Sequence, residues 1–431
     1  MQSRERVDIG IHIFVLLLLG GGAVSNAFGQ VDPVRKTGTF TFEERTRWEE
    51  KFGVDFGEDV NQQHMLSRLR IGFGIAPVSW LSVYAMGQDA RVPFYGTAAP
   101  GTIRDTLDLQ EAYVKLFERR AAGFGAAFGR SMLDYGESRV IGSPQWSNVS
   151  RTYDQGRLYY RAARMRLEVL MVSPVKVLPD RFNAPDLGER IWGTYNTFSQ
   201  LRHGVSIDGY ALRHSQNRVG GWTGAGTLET DSFGGRLYGA LPAGLAYSLE
   251  AIGQRGHLGL VDQRAYAWFA GISRKTTGWK VPFTSAVGYK LASGTKAGAS
   301  HSGTYDQLSP ANHDKFGHMD LFGWRNLKTF KVLESFAVAK PLTANVMYTD
   351  EWLFSATDSL YNSQGASIAV SKTGKAGTHV GRELDGFVTY KVHGYTFGAG
   401  FGHFFHGEFI ENTTQHVNPR YMYLFQQYTF K

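Results

Sequence analysis

The chain has 431 residues, of which 42% are apolar, 14% aromatic and 19% charged, with 52 glycines, 13 prolines and no cysteine. The missing cysteine excludes disulfides, thiol catalysis and cysteine-based zinc sites, and the glycine content argues against a helical bundle, where each glycine costs about 1 kcal/mol relative to alanine. A formal net charge of +8 suits either a negatively charged partner or a solvated basic surface.

In chain order, Arg4 and Arg6 precede an apolar run from Ile9 through Val24, broken only by His12 and glycines. Ala27-Phe28-Gly29 before Gln30 has the small-x-small form of a cleavage site. Residues 1–29 therefore read as a secretory signal peptide cleaved near Gly29–Gln30. A membrane anchor fits less well, because the run is short and glycine-broken for the roughly 20 residues a spanning helix needs. Export leaves nucleic acid an unsuitable partner. Residues 30–431 read as one domain, without a composition shift or a fixed repeat.

The mature chain is dominated by a period of two. Thr39, Thr41, Glu43, Arg45 and Arg47 alternate with Phe40, Phe42, Glu44, Thr46 and Trp48. His64, Arg68 and Arg70 alternate with Met65, Leu69, Ile71, Phe73 and Ile75. Glu111, Tyr113 and Lys115 alternate with Ala112, Val114 and Leu116, and Arg164, Arg166 and Glu168 with Met165, Leu167, Val169 and Met171. Consecutive strand residues face opposite sides, so each segment has one apolar and one polar face. A soluble sandwich and a membrane barrel both satisfy that pattern, the barrel with its apolar face toward lipid.

Three features favour the barrel. The strands continue along the whole chain at about ten residues each, the length a tilted membrane strand needs. Trp48, Trp80, Tyr84, Tyr266 and Trp268 sit near strand ends, as interfacial girdles do. Tyr421–Phe430 forms an alternating aromatic strand just before the final Lys431. Ala76-Pro77-Val78 and Ser173-Pro174-Val175 read as short turns, and residues 92–106, 136–156, 178–200 and 293–326 as long loops or inward-folded inserts. The predicted fold is an all-β, single antiparallel transmembrane barrel of about eighteen strands.

The stretch Gly129–Leu158, GRSMLDYGESRVIGSPQWSNVSRTYDQGRL, concentrates arginine, aromatic and glycine residues. It resembles the signature region of the alginate export porin family at Gly129, Arg130, Leu133, Tyr135, Gly136, Arg139, Gly142, Trp146, Asn148, Arg151, Tyr153 and Asp154. Ser131 stands where that pattern has glutamine. Tyr305–Leu327 and Gly381–Ile410 resemble the family as well. The resemblance implies a monomeric outer-membrane barrel that carries an anionic polysaccharide outward through an arginine-lined lumen, among outer-membrane lipid and with periplasmic export partners. Arginine offers a planar, permanently charged fork that matches uronate carboxylates, and rings of charge select ions in pores.

On strand parity the expected lumen residues are Arg45, Arg47, Arg68, Arg70, Lys115, Arg164 and Arg166, with Glu43, Glu111 and Glu168 as counter-charges. The signature region adds Arg130, Arg139, Arg151 and Asp154. The alternative function is a general anion-preferring porin for small solutes, and a third is a barrel that only binds or anchors something at the cell surface. No enzyme is expected, since no Gly-x-Ser-x-Gly elbow or comparable frame occurs. No cofactor and no metal are expected either. His403 and His406 have opposite strand parity. His301, His313 and His318, with Asp306, Asp314 and Asp320, read as ordinary loop polarity in preference to a calcium or sugar site on the outer face.

Overall fold

A computed structural model of the chain describes residues 38–58, 60–94, 99–118, 121–221 and 224–430. The predicted signal peptide and Lys431 lie outside the described residues. Eighteen antiparallel strands follow one another around a closed wall. The first nine are β1 (Gly38–Phe52), β2 (Gln62–Val78), β3 (Leu81–Arg91), β4 (Asp105–Leu116), β5 (Gly123–Ser131), β6 (Tyr153–Ala162), β7 (Met165–Lys176), β8 (Glu189–Phe198) and β9 (Val205–Gly221). The rest are β10 (Gly224–Leu241), β11 (Leu245–Leu258), β12 (Val261–Thr276), β13 (Phe283–Ala292), β14 (Leu327–Ala339), β15 (Leu342–Leu353), β16 (His379–Val392), β17 (Tyr395–His406) and β18 (Arg420–Phe430). Each strand pairs with its sequence neighbours, and β1 closes on β18, with Phe42 opposite Phe430 and Phe52 opposite Arg420.

The wall is apolar on its outside. On β2, Phe73 is 61% exposed while the inward Arg68 is 2% exposed. Only a barrel with its apolar face toward lipid explains that reversal. The buried aromatic cluster, which includes Tyr305, Phe316, Phe322 and Trp324, belongs to the segment 293–326 and packs with Leu133 and Ile141 against the inner wall. Connections at 79–80, 163–164, 242–244, 340–341 and 393–394 are short, whereas 132–152, 293–326 and 354–378 at the other end are long. Short turns mark the periplasmic end of such a barrel and long loops the outer end.

Several local expectations need correction. Pro77 and Pro174 lie inside β2 and β7. Pro77 is accommodated at a register shift between Ile75 and Val78, where its missing N–H breaks no regular ladder. Residues 189–198 are the strand β8, which a reading of 178–200 as loop misses because Gly193 interrupts its alternation. Trp48, Tyr266 and Trp268 face outward, but Tyr84 faces inward, where its hydroxyl lies 2.7 Å from Thr41 Oγ1. Arg164 is not on the inner wall: it occupies the turn between β6 and β7, where strand alternation has ended.

Part of the glycine excess has a packing cause. Opposite Tyr423 on β18 stands Gly400 on β17, and a Cβ there would lie 2.4 Å from the tyrosine ring. Glycine leaves the room in which that ring lies flat against the wall, with its hydroxyl reaching into the lumen.

An arginine on the lipid face tests the orientation. Val169, outward on β7 and 62% exposed, should cost about 2–4 kcal/mol of barrel stability when replaced by arginine, measured by reversible unfolding in lipid vesicles. Arg164→Ala in the turn should change stability by less than about 0.5 kcal/mol.

Candidate functional site

Two long loops fold back into the lumen, and the inner-wall arginines hold the first. Residues 132–152 pass across β1 and β2, where Arg45 donates from Nη1 to the Gln145 carbonyl and from Nη2 to the Ser147 carbonyl, both at 3.0 Å. Arg68 Nη1 donates to the same two carbonyls at 3.2 and 2.8 Å while its Nε donates to Glu43 at 2.8 Å. Arg70 bonds Gln88, the Gln145 side chain and Ser150 Oγ. Arg47 donates to the Trp146 carbonyl at 2.6 Å and lies over the Trp146 ring at 4.2 Å. These four arginines face inward as strand parity predicts, but the loop covers them, and each is at most 3% exposed.

The second loop, 293–326, is fastened to the first. Residues around Ile141 and Ser309 form a parallel bridge, with the Gly142 N–H donating to the Ser309 carbonyl at 2.9 Å. Arg151 Nη1 donates to the Pro310 carbonyl at 2.6 Å. From the wall, His214 on β9 reaches Asp306 at 2.7 Å, and Arg325 lies 3.3 Å from the same carboxylate. Burial works against charge on Asp306, yet these two cations hold its carboxyl down to about 2. Glu383 on β16 accepts the Met319 N–H at 2.9 Å. Gly317 sits beside that carboxylate with φ +104, and a Cβ there would lie 2.4 Å from the Glu383 oxygens.

Where the loops meet, aromatic rings stack. His313 lies parallel to Trp146 at 4.7 Å, and His318 lies parallel to Phe387 at 4.2 Å. His313 borders two cavities. One, about 600 Å³, opens toward the long-loop end between Arg47, Lys51, Trp146 and Arg151. The other, about 650 Å³, lies toward the short-turn end and is bordered by Arg139, Arg236, Lys290, Lys315 and Lys331 against Glu137 and Asp314. Arg139 pairs with Glu250 at 2.9 Å and Glu137 at 2.5 Å, over the Phe269 ring at 3.7 Å. Burial opposes the charge of Glu137, but Arg139 and Arg236 hold its carboxyl below the usual range. Burial, reinforced by Arg139, brings the Lys315 amine down to about 8. On the far side of loop 132–152 a cavity of about 390 Å³ is bordered by Lys115, Arg157 and Arg166 with Glu118 and Glu168.

The expected residues therefore divide. Arg47, Lys115, Arg139, Arg151, Arg166 and Glu168 border cavities. Arg45, Arg68, Arg70 and Glu111 face inward but bind loop 132–152, Glu111 accepting the Met132 N–H at 3.0 Å. Arg130 and Asp154 are a correction. They pair with each other at 2.9 Å opposite Ala112 and Ser173, on the outer side of the wall. The registers of β4 through β7 give them the parity opposite to Glu111, Gln155 and Glu168. Arg236, Lys290 and Lys331 escape the sequence reading although each sits at an inward strand position. The same alternation, carried into β10, β13 and β14, would have found them.

A family model for alginate export matches residues 37–423. Among solved structures, the outer membrane protein OpdK from Pseudomonas aeruginosa has a TM-score of 0.66 at 11% identity, covering 91% of this chain and 98% of that one. OpdG from the same organism has a TM-score of 0.64 at 13% identity, with 91% and 98% covered. OpdK determined with vanillate has a TM-score of 0.62 at 10% identity, again with 91% and 98% covered. Likeness at these identities speaks for the fold. No curated protein matches the chain by sequence.

The arginine grip has a direct test. Arg68→Ala removes donors from two loop carbonyls and the nearest cation from Glu43, a loss of about 1–3 kcal/mol, because Arg45 still serves both carbonyls and Arg70 stays beside Glu43. Proteolysis within 144–150 should become markedly faster than in the parent protein, under conditions where the strands stay protected.

Proposed function

The chain belongs to the alginate export family and is an outer-membrane β-barrel channel, and from that premise we propose that it passes an anionic polysaccharide of the uronate type. The carrying observation is the cavity of about 650 Å³ lined by four cations, Arg139, Arg236, Lys315 and Lys331, and the buried amine of Lys290, against two carboxylates, Glu137 and Asp314. An excess of fixed positive charge between low-dielectric walls concentrates anions. Conduction also needs contacts weak and numerous enough to be left again, and pairing of Arg139 and Arg236 with Glu137 moderates their pull. In this reading Lys51 and Arg151 meet the solute toward the outer end, and Lys115, Arg157 and Arg166 form a parallel basic wall. Arg45, Arg68 and Arg70 act indirectly, by setting where loop 132–152 stands. The barrel works as a monomer, and periplasmic export partners would meet its short-turn end. It is a channel and not an enzyme.

A second reading, an anion-preferring porin for small solutes, is favoured by one observation. The two inward loops are bridged to each other at Ile141 and Ser309, which divides the lumen into cavities of about 650 and 600 Å³. Each is the size of a site for a small molecule. A polymer needs the two spaces to be continuous.

Planar-bilayer recordings decide between the readings. Purified protein should conduct with a preference for anions, and Arg236→Gln together with Lys315→Gln should shift the reversal potential toward cations while Arg164→Gln leaves it in place. Polymannuronate or polyguluronate should block the current where neutral dextran does not. Equal indifference to both polymers would favour the small-solute porin, and absence of any current would remove both.

A further inference from the structure

We propose that His313, Asp314 and His318, at the boundary between the two main cavities, form a binding site for a borderline divalent metal ion of the Zn²⁺ class. The ligand atoms of the three residues lie within 4.8 Å of one another. His313 Nε2 is 3.6 Å from Asp314 Oδ1, and His318 Nδ1 is in hydrogen-bond contact with that same oxygen. Zinc binds imidazole nitrogen at about 2.0–2.1 Å and carboxylate oxygen at about 2.0–2.2 Å, which puts tetrahedral neighbours about 3.3 Å apart. The His313–Asp314 spacing is near that value already. On the other side an entering ion displaces the proton shared by His318 and Asp314, and the two ligands separate to admit it.

The unused nitrogens make this arrangement more than a local tie between acids and bases. His313 Nδ1 is 2.8 Å from Asp320 Oδ2, and His318 Nε2 is 2.8 Å from the Tyr423 hydroxyl. In the tautomers that donate to these oxygens, His313 Nε2 and His318 Nδ1 carry the lone pairs that face Asp314. Ligating histidines are held in just this way, by an oxygen acceptor on the far ring nitrogen. Each ring is also clamped by a parallel aromatic partner, His313 by Trp146 and His318 by Phe387. The His318 N–H donates to Asp385 and the neighbouring Met319 N–H to Glu383, which fastens the ligand-bearing segment to the wall. A site pre-positioned by its supporting shell loses little entropy on binding.

The donor set selects the metal. Two imidazoles and one carboxylate suit zinc and similar ions, whereas calcium and magnesium want oxygen donors alone. Three protein ligands leave a fourth position, and Asp314, which borders the cavity toward the short-turn end, turns that position toward the lumen. Water or a carboxylate from a passing solute can occupy it. The proposal does not depend on which solute the channel carries.

The test uses the full mature chain, folded in detergent without a histidine tag and stripped of metal by chelator. Calorimetric titration with ZnCl₂ should give one site per chain. His313→Ala and His318→Gln should each weaken it more than about 100-fold, and Asp320→Asn by about 10–100-fold. His416→Ala, on an exposed histidine elsewhere, should leave binding as it is. If a histidine variant fails to fold, Co²⁺ added to the unmodified protein still reports, because a four-coordinate nitrogen and oxygen site gives intense visible absorption. No stoichiometric zinc, zinc binding that survives both histidine replacements, or a Co²⁺ spectrum no stronger than that of the aqueous ion would each overturn the site and leave these residues as a structural tie.

Discussion

The grip of inner-wall arginines on the carbonyls of residues 145–147 is the constraint on which the interior depends. A loop led into a barrel carries unpaired peptide groups into a confined space, and each costs free energy unless it finds a partner. Guanidinium groups offer five donors in a rigid fork, so one arginine can serve two carbonyls and a side chain together. Arg45 and Arg68 share the Gln145 and Ser147 carbonyls in this way. Because Glu43 lies beside Arg68 and Arg70, the cluster brings some of its own counter-charge. The position of Trp146, and through it His313, follows from that grip.

From there the interior is built by relay. Trp146 stacks on His313, the parallel bridge at Ile141 and Ser309 ties the two loops, and His214 and Arg325 converge on Asp306 to anchor the second. The aromatic cluster around Tyr305 and Trp324 then fills the outer half of the lumen as a soluble core would. The barrel thus has two apolar regions with different tasks. The outer one faces lipid, and the inner one fixes the loops that shape the passage. The basic residues left at the short-turn end line what remains open.

Much of this was legible in the chain, and the misses are instructive. The inward orientation of Arg45, Arg47, Arg68, Arg70, Lys115, Arg166 and Glu168 follows from alternation alone, since a pleated strand leaves no choice of side. Arg164 departs from this rule because strand alternation stops at Ala162 and resumes at Met165, leaving it in the turn. Arg130 and Asp154 stand in a polar stretch, yet the parity of β5 and β6 puts them on the outer side. Arg236, Lys290 and Lys331 are as legible as Arg68, by the same alternation on β10, β13 and β14.

Local patterns in the chain suffice for an exported, cysteine-free antiparallel barrel of about eighteen strands and for the face on which most wall residues stand. The strands and their facing come from a period-two pattern that most strands display locally, and export from the apolar leader between Ile9 and Val24. Which inward charges meet solvent is a matter of long-range packing, because it depends on the course of residues 132–152 and 293–326 through the lumen. Their course is set by contacts between residues far apart in sequence, such as Arg45 with Gln145 and Arg151 with Pro310. No local pattern encodes such a pairing. The same holds for His313, Asp314 and His318. As sequence they are loop polarity, and what makes them a candidate site is the tryptophan, phenylalanine and tyrosine that distant segments bring to them.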